Sequence, residues 1–214
     1  MGEKRVVPQS LKSVLEWDAV ITEKLVKYVD HKYGPLAKYK TFMKGLEYSC
    51  HGLPWLLGTA VFIFFIMDLS CRQFLVNIFI GLIVDVIIVA VVKAITRRRR
   101  PVANKEKEMF ASVSVDKFSF PSGHATRAVM LSILFPMQLD LFLPLSVVLM
   151  MWGGAVCASR VLLHRHHLLD VVGGTIIGIL EALFLSYMWL SPQSAQGLVN
   201  FFLDETQAGA NYDV

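Results

Sequence analysis

Five apolar runs occupy most of the chain from residue 53 onward, and charged or turn-forming residues separate them. They lie at about residues 53–67, 74–92, 125–139, 141–158 and 168–190. A helix needs about 20 largely apolar residues to cross the hydrocarbon core of a membrane. The first and third runs are shorter, so we expect them to extend into their flanks or to be surrounded by protein. The pattern predicts an all-α integral membrane protein, a bundle of about five transmembrane helices.

The segment before these runs has the periodicity of an amphipathic helix. Between Ser10 and Tyr33, apolar residues recur at spacings of three and four while the opposite face is charged. The apolar positions are Val14, Trp17, Ile21, Leu25 and Tyr28. Such a helix either packs on the body of the protein or lies in the membrane interface, with Trp17 at headgroup depth. The fold that we predict includes it as an N-terminal interfacial helix.

Polarity divides the chain into three regions. Residues 1–45 carry the amphipathic helix, residues 46–190 form the membrane domain, and residues 191–214 form a polar tail. The hydrophobic fraction of 55% is too high for a soluble domain of this length. The three cysteines are far apart and show no CxxC spacing, which argues against a disulfide framework or a zinc site.

Basic residues are concentrated at one end of the predicted bundle. With five spans, the N-terminal region and the loops 93–124 and 160–167 share one face, and every Lys and Arg except Arg72 is assigned to it. Short, positively charged loops are retained in the cytosol during membrane insertion. We therefore expect this face to be cytosolic, in the endoplasmic reticulum or nuclear envelope.

Two acidic residues, Asp85 and Glu181, interrupt the apolar runs. Because a charged side chain is costly in lipid, we expect both to face the protein interior. They would then belong to a proton path or a substrate pocket, or they would be protonated and bonded to a neighbouring helix.

Three short segments at the ends of the runs carry side chains that can bind an anion or take part in a reaction. In the first, Lys93 ends a run and Arg100 follows seven residues later, which is close to two helical turns. If the helix continues, both cations point the same way and can bind two phosphate oxygens. Anchoring of a helix end by positive charge explains the same residues equally simply.

The second segment, at residues 121–124, opens the third run. Ser122 can cap the helix, and Gly123 lets backbone N–H groups approach an anion at the helix N-terminus. His124 then lies where it can protonate a leaving oxygen. The alternative is an ordinary helix start with His124 as an interfacial residue.

The third segment combines Arg160, His166 and Asp170. The i, i+4 spacing places Asp170 on the same helix face as His166, so that it can accept the N–H of His166 and leave the other ring nitrogen free to attack phosphorus. A metal site is the alternative, with ligands from His124, His164, His166 and Asp170. Because nearby Lys and Arg repel a metal cation and attract phosphate, we predict no metal and no cofactor.

Together the three segments resemble the signature of the type 2 phosphatidic acid phosphatase superfamily, which also includes vanadium haloperoxidases and bacterial acid phosphatases. That signature reads Lys-x6-Arg-Pro, Pro-Ser-Gly-His and Ser-Arg-x5-His-x3-Asp, and every position is present here in order. The matching residues are Lys93, Arg100, Pro101, Pro121, Ser122, Gly123, His124, Ser159, Arg160, His166 and Asp170.

The resemblance implies a metal-independent membrane lipid phosphatase. It implies that His166 is the nucleophile that forms a phosphohistidine, that His124 is the general acid and that Asp170 is the partner of His166. It also implies a set of residues that hold the phosphate, namely Lys93, Arg100, Ser122, Gly123 and Arg160.

Residues 47–59 (EYSCHGLPWLLGT) and 118–128 (FSFPSGHATRA) are similar to the polyisoprenoid diphosphate phosphatase branch of this family. The similarity covers roughly residues 45–190, and the amphipathic helix stands where many members have a first span. It implies a farnesyl, geranylgeranyl or presqualene diphosphate substrate. The alternatives are a phosphatase for phosphatidic acid or sphingoid-base phosphates, and a non-enzymatic membrane scaffold. The expected partners are the lipid substrate and membrane lipid, without nucleic acid, and a homo-oligomer is left open.

Overall fold

The apolar runs and the amphipathic segment all form helices. The computed structural model describes residues 8–101 and 118–210, which contain eight α-helices and one 3-10 turn, Leu36–Tyr39. The helices are α1 (Gln9–Tyr33), α2 (Lys40–Ser49), α3 (Gly52–Phe65), α4 (Leu69–Thr96), α5 (Gly123–Leu139), α6 (Leu143–Leu162), α7 (Leu168–Tyr187) and α8 (Pro192–Ala210). Among these residues β-pairing is limited to an isolated bridge between Arg99 and Phe118. The predicted all-α fold is confirmed.

Helices α4, α6 and α7 are long and apolar enough to cross a membrane. Residues 36–49 and helix α3 form a bent pair, with an angle of 44°, that adds a fourth span if the pair is one broken crossing. Helix α5 corresponds to the third predicted run and has 17 residues. The described part of the chain therefore has three or four candidate spans, and the count of five remains a prediction.

Helix α5 lies at the centre of the bundle, between α6 and α7, and glycines bring α7 close to it. A Cβ on Gly174 would lie 2.8 Å from the carbonyl oxygen of Ser122, and one on Gly178 would collide with the carbonyl oxygen of Thr126. Small residues one turn apart allow such close backbone approach between membrane helices. As a result, the start of α7 is held next to the start of α5, where the second and third segments lie.

Helix α1 is amphipathic as predicted, but its predicted apolar face does not pack on the bundle. Trp17 and Tyr28 on that face are more than half exposed. The buried residues of α1 are Asp18, Thr22 and Val26, which lie on another face. Helix α1 therefore docks on the body largely through polar contacts and leaves an apolar stripe uncovered by the described residues.

The two acidic residues within the apolar runs face the interior, as predicted. Asp85 and Glu181 are both buried, and Asp85 Oδ2 lies 2.5 Å from Arg127 Nη2. The sequence pattern assigns Arg127 to the basic face, and the structure corrects that assignment. It lies inside α5 with 7% of its surface exposed, so its charge is matched by Asp85 within the bundle and carries no orientation signal.

The tail contains a helix that the sequence pattern did not predict. Ala195 and Val199 of α8 are buried against Ile63 and Val76 of α3 and α4. At this end of the bundle, Arg72 Nη1 donates to Gln196 Oε1 at 2.6 Å. Helix α8 is thus held to the end of the bundle opposite the three segments.

Candidate active site

The three segments predicted from the sequence lie together at one end of the bundle. The Ser122 N–H donates to the Asp170 carbonyl oxygen at 3.0 Å, which joins the second segment to the third. Arg100 Nη1 donates to the carbonyl oxygen of Arg165 at 3.3 Å, which joins the first segment to the third. Residues separated by up to 77 positions in sequence therefore share one site.

His166 is buried in the short loop between α6 and α7, and its ring has a defined tautomer. Its Nδ1 lies 2.8 Å from the carbonyl oxygen of Ser119. A carbonyl oxygen can only accept, so Nδ1 carries the proton and Nε2 has the lone pair. Burial lowers the pKa of His166 to about 4, and the cations Arg100 and Lys93 act in the same direction. At neutral pH this imidazole is uncharged, which is the form a nucleophile needs.

The structure does not contain the predicted hydrogen bond from His166 to Asp170. The distance from His166 Nδ1 to Asp170 Oδ2 is 3.8 Å, too long for a hydrogen bond. The i, i+4 rule applies within a helix, and α7 begins at Leu168, two residues after His166. The carboxylate of Asp170 instead accepts from the hydroxyl of Ser119 and, at 2.8 Å, from the backbone N–H of His167. Ser119 therefore lies between Asp170 and His166 and contacts both.

His124 lies in the first turn of α5, and one of its ring nitrogens is isolated. Its Nε2 is buried and has no hydrogen-bond partner among residues 8–101 and 118–210. The His51 ring stacks edge-on against it, with a centroid distance of 6.1 Å. Buried polar atoms nearly always have partners, so an isolated imidazole nitrogen next to basic side chains is typical of a group that acts on a ligand.

Several buried cations lie at the same end of the bundle as His124 and His166. Lys93 at the end of α4 and Arg160 at the end of α6 are 4% and 1% exposed. Arg165 is also buried, although the sequence did not single it out. Cations withdrawn from water favour a bound anion strongly, and guanidinium groups match the geometry of phosphate oxygens.

A carboxylate that the sequence pattern did not reveal pairs with these arginines. Glu47 Oε2 lies 3.4 Å from Arg160 Nη1 and 3.9 Å from Arg165 Nε. It reaches the site because α2 ends there, next to the break before α3. Arg160 also donates to the Ser159 hydroxyl at 3.2 and 3.3 Å. These contacts fix the direction of the Arg160 guanidinium.

Ser122 and Gly123 form the start of α5, as the sequence indicates. The Ser122 hydroxyl accepts from the Ala125 N–H at 3.4 Å and so acts as the N-cap. A Cβ on Gly123 would lie 3.3 Å from Val89, so a side chain would be tightly placed there. The positive end of the α5 dipole therefore points to the site where the cations gather.

The metal alternative has no counterpart in the described residues. Within 8–101 and 118–210, no three His, Cys, Asp or Glu side chains are close enough together to hold a metal ion. His164, one of the residues in that alternative, lies in the α6–α7 loop with a φ of 55° and lines a cavity beside α1.

Comparison with known proteins is consistent with this geometry. The model of the PAP2 superfamily matches residues 74–193, more than half of the chain. The chain is also similar to a probable lipid phosphate phosphatase beta from Arabidopsis thaliana, with 37% identity over 145 residues that cover 56% of this chain and 68% of the relative. No solved structure matches the chain significantly.

Proposed function

The chain belongs to the PAP2 superfamily and is an integral membrane lipid phosphatase, and we propose that it hydrolyses polyisoprenoid diphosphates at the cytosolic face through a phosphohistidine on His166. The observation that carries the proposal is the buried, uncharged His166, whose Nε2 lone pair is available beside a group of buried cations. The isolated Nε2 of His124 supports the assignment of a general acid at the same site.

In the proposed first step, His166 Nε2 attacks the terminal phosphorus of the bound lipid. A P–N bond forms, and the bond between that phosphorus and the leaving oxygen breaks. His124 enters this step as the imidazolium and gives a proton to the leaving oxygen, so that the lipid departs as an alcohol or a monophosphate. Donors from five residues balance the charge on the equatorial oxygens of the transferring group. These residues are Lys93, Arg100, Ser122, Gly123 and Arg160.

In the second step, water attacks the phosphorus of the phosphohistidine. His124, now without its proton, accepts one from this water, the P–N bond breaks, and inorganic phosphate leaves. The enzyme returns to its starting protonation state. Asp170 contributes indirectly, because its bond to the Ser119 hydroxyl helps to hold the loop whose carbonyl oxygen orients His166.

The substrate preference rests on the similarity of residues 47–59 and 118–128 to the polyisoprenoid branch. A diphosphate head can remain at the water-facing end of the bundle while its chain lies among the apolar helices. The second candidate substrate is phosphatidic acid or a sphingoid-base phosphate, whose head group fits the same cations. Similarity to a relative named a lipid phosphate phosphatase supports this candidate as well as it supports a diphosphate.

A substrate panel on the detergent-purified full chain tests the proposal. Farnesyl, geranylgeranyl and presqualene diphosphates are compared with phosphatidic acid and sphingosine phosphate, and phosphate release is measured with EDTA present. We expect release in EDTA and the highest kcat/KM for a diphosphate. A higher kcat/KM for phosphatidic acid overturns the substrate assignment, and a requirement for magnesium overturns the mechanism. A lack of release from every substrate favours the scaffold alternative.

A further inference from the structure

Arg98 joins the N-terminal helix to the carboxylate at the site. Its Nη1 lies 2.7 Å from Asp170 Oδ1, and its Nη2 lies 2.5 Å from Asp18 Oδ2 in α1. The Arg98 side chain is 9% exposed, and both carboxylates are almost completely buried. Arg98 is one of four consecutive arginines, and the lipid phosphatase signature assigns it no role.

The two ends of this guanidinium contact two buried carboxylates, one in α1 and one in α7. Removing a charged partner from a buried carboxylate is strongly destabilising, and a guanidinium can pair with two carboxylates through separate N–H groups. The geometry therefore fixes the position of Asp170 relative to α1.

The backbone of Arg98 has a second role at the same place. Its carbonyl oxygen accepts from the Ser119 N–H at 2.7 Å. Ser119 in turn donates its hydroxyl to Asp170, and its carbonyl oxygen accepts from His166 Nδ1. A continuous set of contacts thus runs from Arg98 through Ser119 to His166, with Asp170 bonded to both Arg98 and Ser119.

Helix α1 also holds the start of α7 directly. Asp18 Oδ1 accepts from the Leu169 N–H at 3.1 Å, and the Thr22 hydroxyl accepts from the Leu168 N–H at 3.0 Å. The first N–H groups of a helix have no partner within it, so α1 supplies acceptors for two of these groups in α7. Val26 of α1 belongs to a buried apolar cluster with Val161 of α6 and Val171 of α7, which extends this attachment.

We propose that Arg98 is a positioning residue for the phosphoryl transfer and that Asp18 holds it in place, which makes α1 part of the catalytic apparatus. Arg98 keeps Asp170 and Ser119 in the arrangement that directs His166 Nε2 at the phosphorus. It acts through these residues, because both of its terminal nitrogens contact the two carboxylates. The inference rests on the proposed function of His166 as the nucleophile.

The test compares Arg98→Gln with Arg97→Gln, which removes the same charge from the neighbouring position. Arg97 is exposed, and its Nε contacts only the nearby carbonyl oxygen of Ala94 in the described structure. Loss of orientation at a nucleophile lowers kcat far more than KM, so we expect Arg98→Gln to lower kcat roughly 10- to 100-fold with KM changed less than about twofold. Arg97→Gln should match the wild type, and Arg98→Lys should recover part of the loss.

A double-mutant cycle separates positioning from general stability. Asp18→Asn keeps an oxygen for the Leu169 N–H and removes the charge that Arg98 contacts. If Asp18 acts through Arg98, adding Asp18→Asn to Arg98→Gln should lower kcat by less than about twofold more, because residues in one network are not additive. If the two substitutions lower kcat by factors that multiply in the double variant, Asp18 does not act through Arg98.

Thermal unfolding is measured for each variant, so that a lower kcat can be distinguished from a loss of folded protein. A kcat within about twofold of wild type in Arg98→Gln overturns the positioning role. The positioning role is also overturned if Arg98→Gln and Arg98→Lys lose folded, active protein to the same extent. These outcomes leave the proposed function intact as long as the wild type is active and His166→Ala is not. An active His166→Ala overturns the proposed function first and this inference with it.

Discussion

His166 Nδ1 lies 2.8 Å from the carbonyl oxygen of Ser119, so a backbone group rather than a carboxylate orients this imidazole. A carbonyl oxygen does not titrate in the physiological range. The orienting contact therefore persists wherever His166 is uncharged, and the carboxylate of Asp170 influences it through the position of Ser119. Both the reactivity of His166 and its dependence on pH follow from this arrangement.

Replacement of the proposed nucleophile should remove turnover and leave the fold intact. His166→Ala deletes the nitrogen that would bond to phosphorus, and we expect kcat to fall by at least about 1,000-fold. The matched control is His164→Asn in the same loop, since Asn tolerates the left-handed backbone of His164 (φ of 55°). That variant should keep most of its activity. Phosphate release and thermal unfolding are measured for both, and retention of more than about a tenth of the rate in His166→Ala contradicts the assignment.

The pH dependence of kcat/KM should have an unusually low acidic limb. Burial lowers the pKa of His166 from 6.5 to about 4, so the nucleophile stays uncharged as the pH falls from 7 to about 5. Protonation of His166 then reduces kcat/KM below about pH 4. The check is kcat/KM over a pH series with a soluble short-chain substrate. An acidic limb near pH 6.5 that belongs to His166 contradicts its burial as an uncharged group.

The same pKa shift of His166 also affects stability, which should decrease at a pH where the nucleophile is still uncharged. The unfolded chain binds a proton at His166 near pH 6.5, while the folded protein does so only near pH 4. The contribution of His166 to the free energy of unfolding is therefore complete above pH 6.5 and is lost as the pH falls toward 4. Thermal midpoints of the wild type should decrease over this interval more than those of His166→Ala.

Apolar runs and the spacing of the motif residues account for what the sequence predicted, and tertiary contacts account for what it did not. Long apolar runs leave a helix as the only structure that satisfies the backbone in lipid, which is why all five predicted runs proved helical. Glu47 and Asp18 each lie in a segment of mixed polarity, so no local pattern marks them as buried. Arg98 was hidden in a basic run that helix anchoring already explains. Their partners lie 72 to 113 residues away, beyond any local pattern.

The buried ion pair between Asp85 and Arg127 should contribute strongly to stability. Asp85→Asn leaves the Arg127 guanidinium inside the bundle without its charge partner, which typically destabilises a protein by about 3–5 kcal/mol. Asp68→Asn is the control, since Asp68 is the exposed N-cap of the same helix and Asn caps a helix equally well. Thermal unfolding in detergent should show a large decrease for Asp85→Asn and almost none for Asp68→Asn. Equal midpoints contradict a structural role for the pair.

The three native cysteines provide a direct test of orientation. Cys71 is exposed at the start of α4, at the end of the bundle opposite the site, while Cys50 is buried and Cys157 is partly buried. If the basic face is cytosolic, Cys71 faces the lumen. In sealed microsomes, an impermeant maleimide should leave the wild type unlabelled until detergent opens the membrane. Arg97→Cys in a Cys71→Ser background should be labelled without detergent, because Arg97 is exposed beside the site. Labelling of Cys71 in intact microsomes, with protection of the cysteine at position 97, would place the site in the lumen and overturn the proposed orientation.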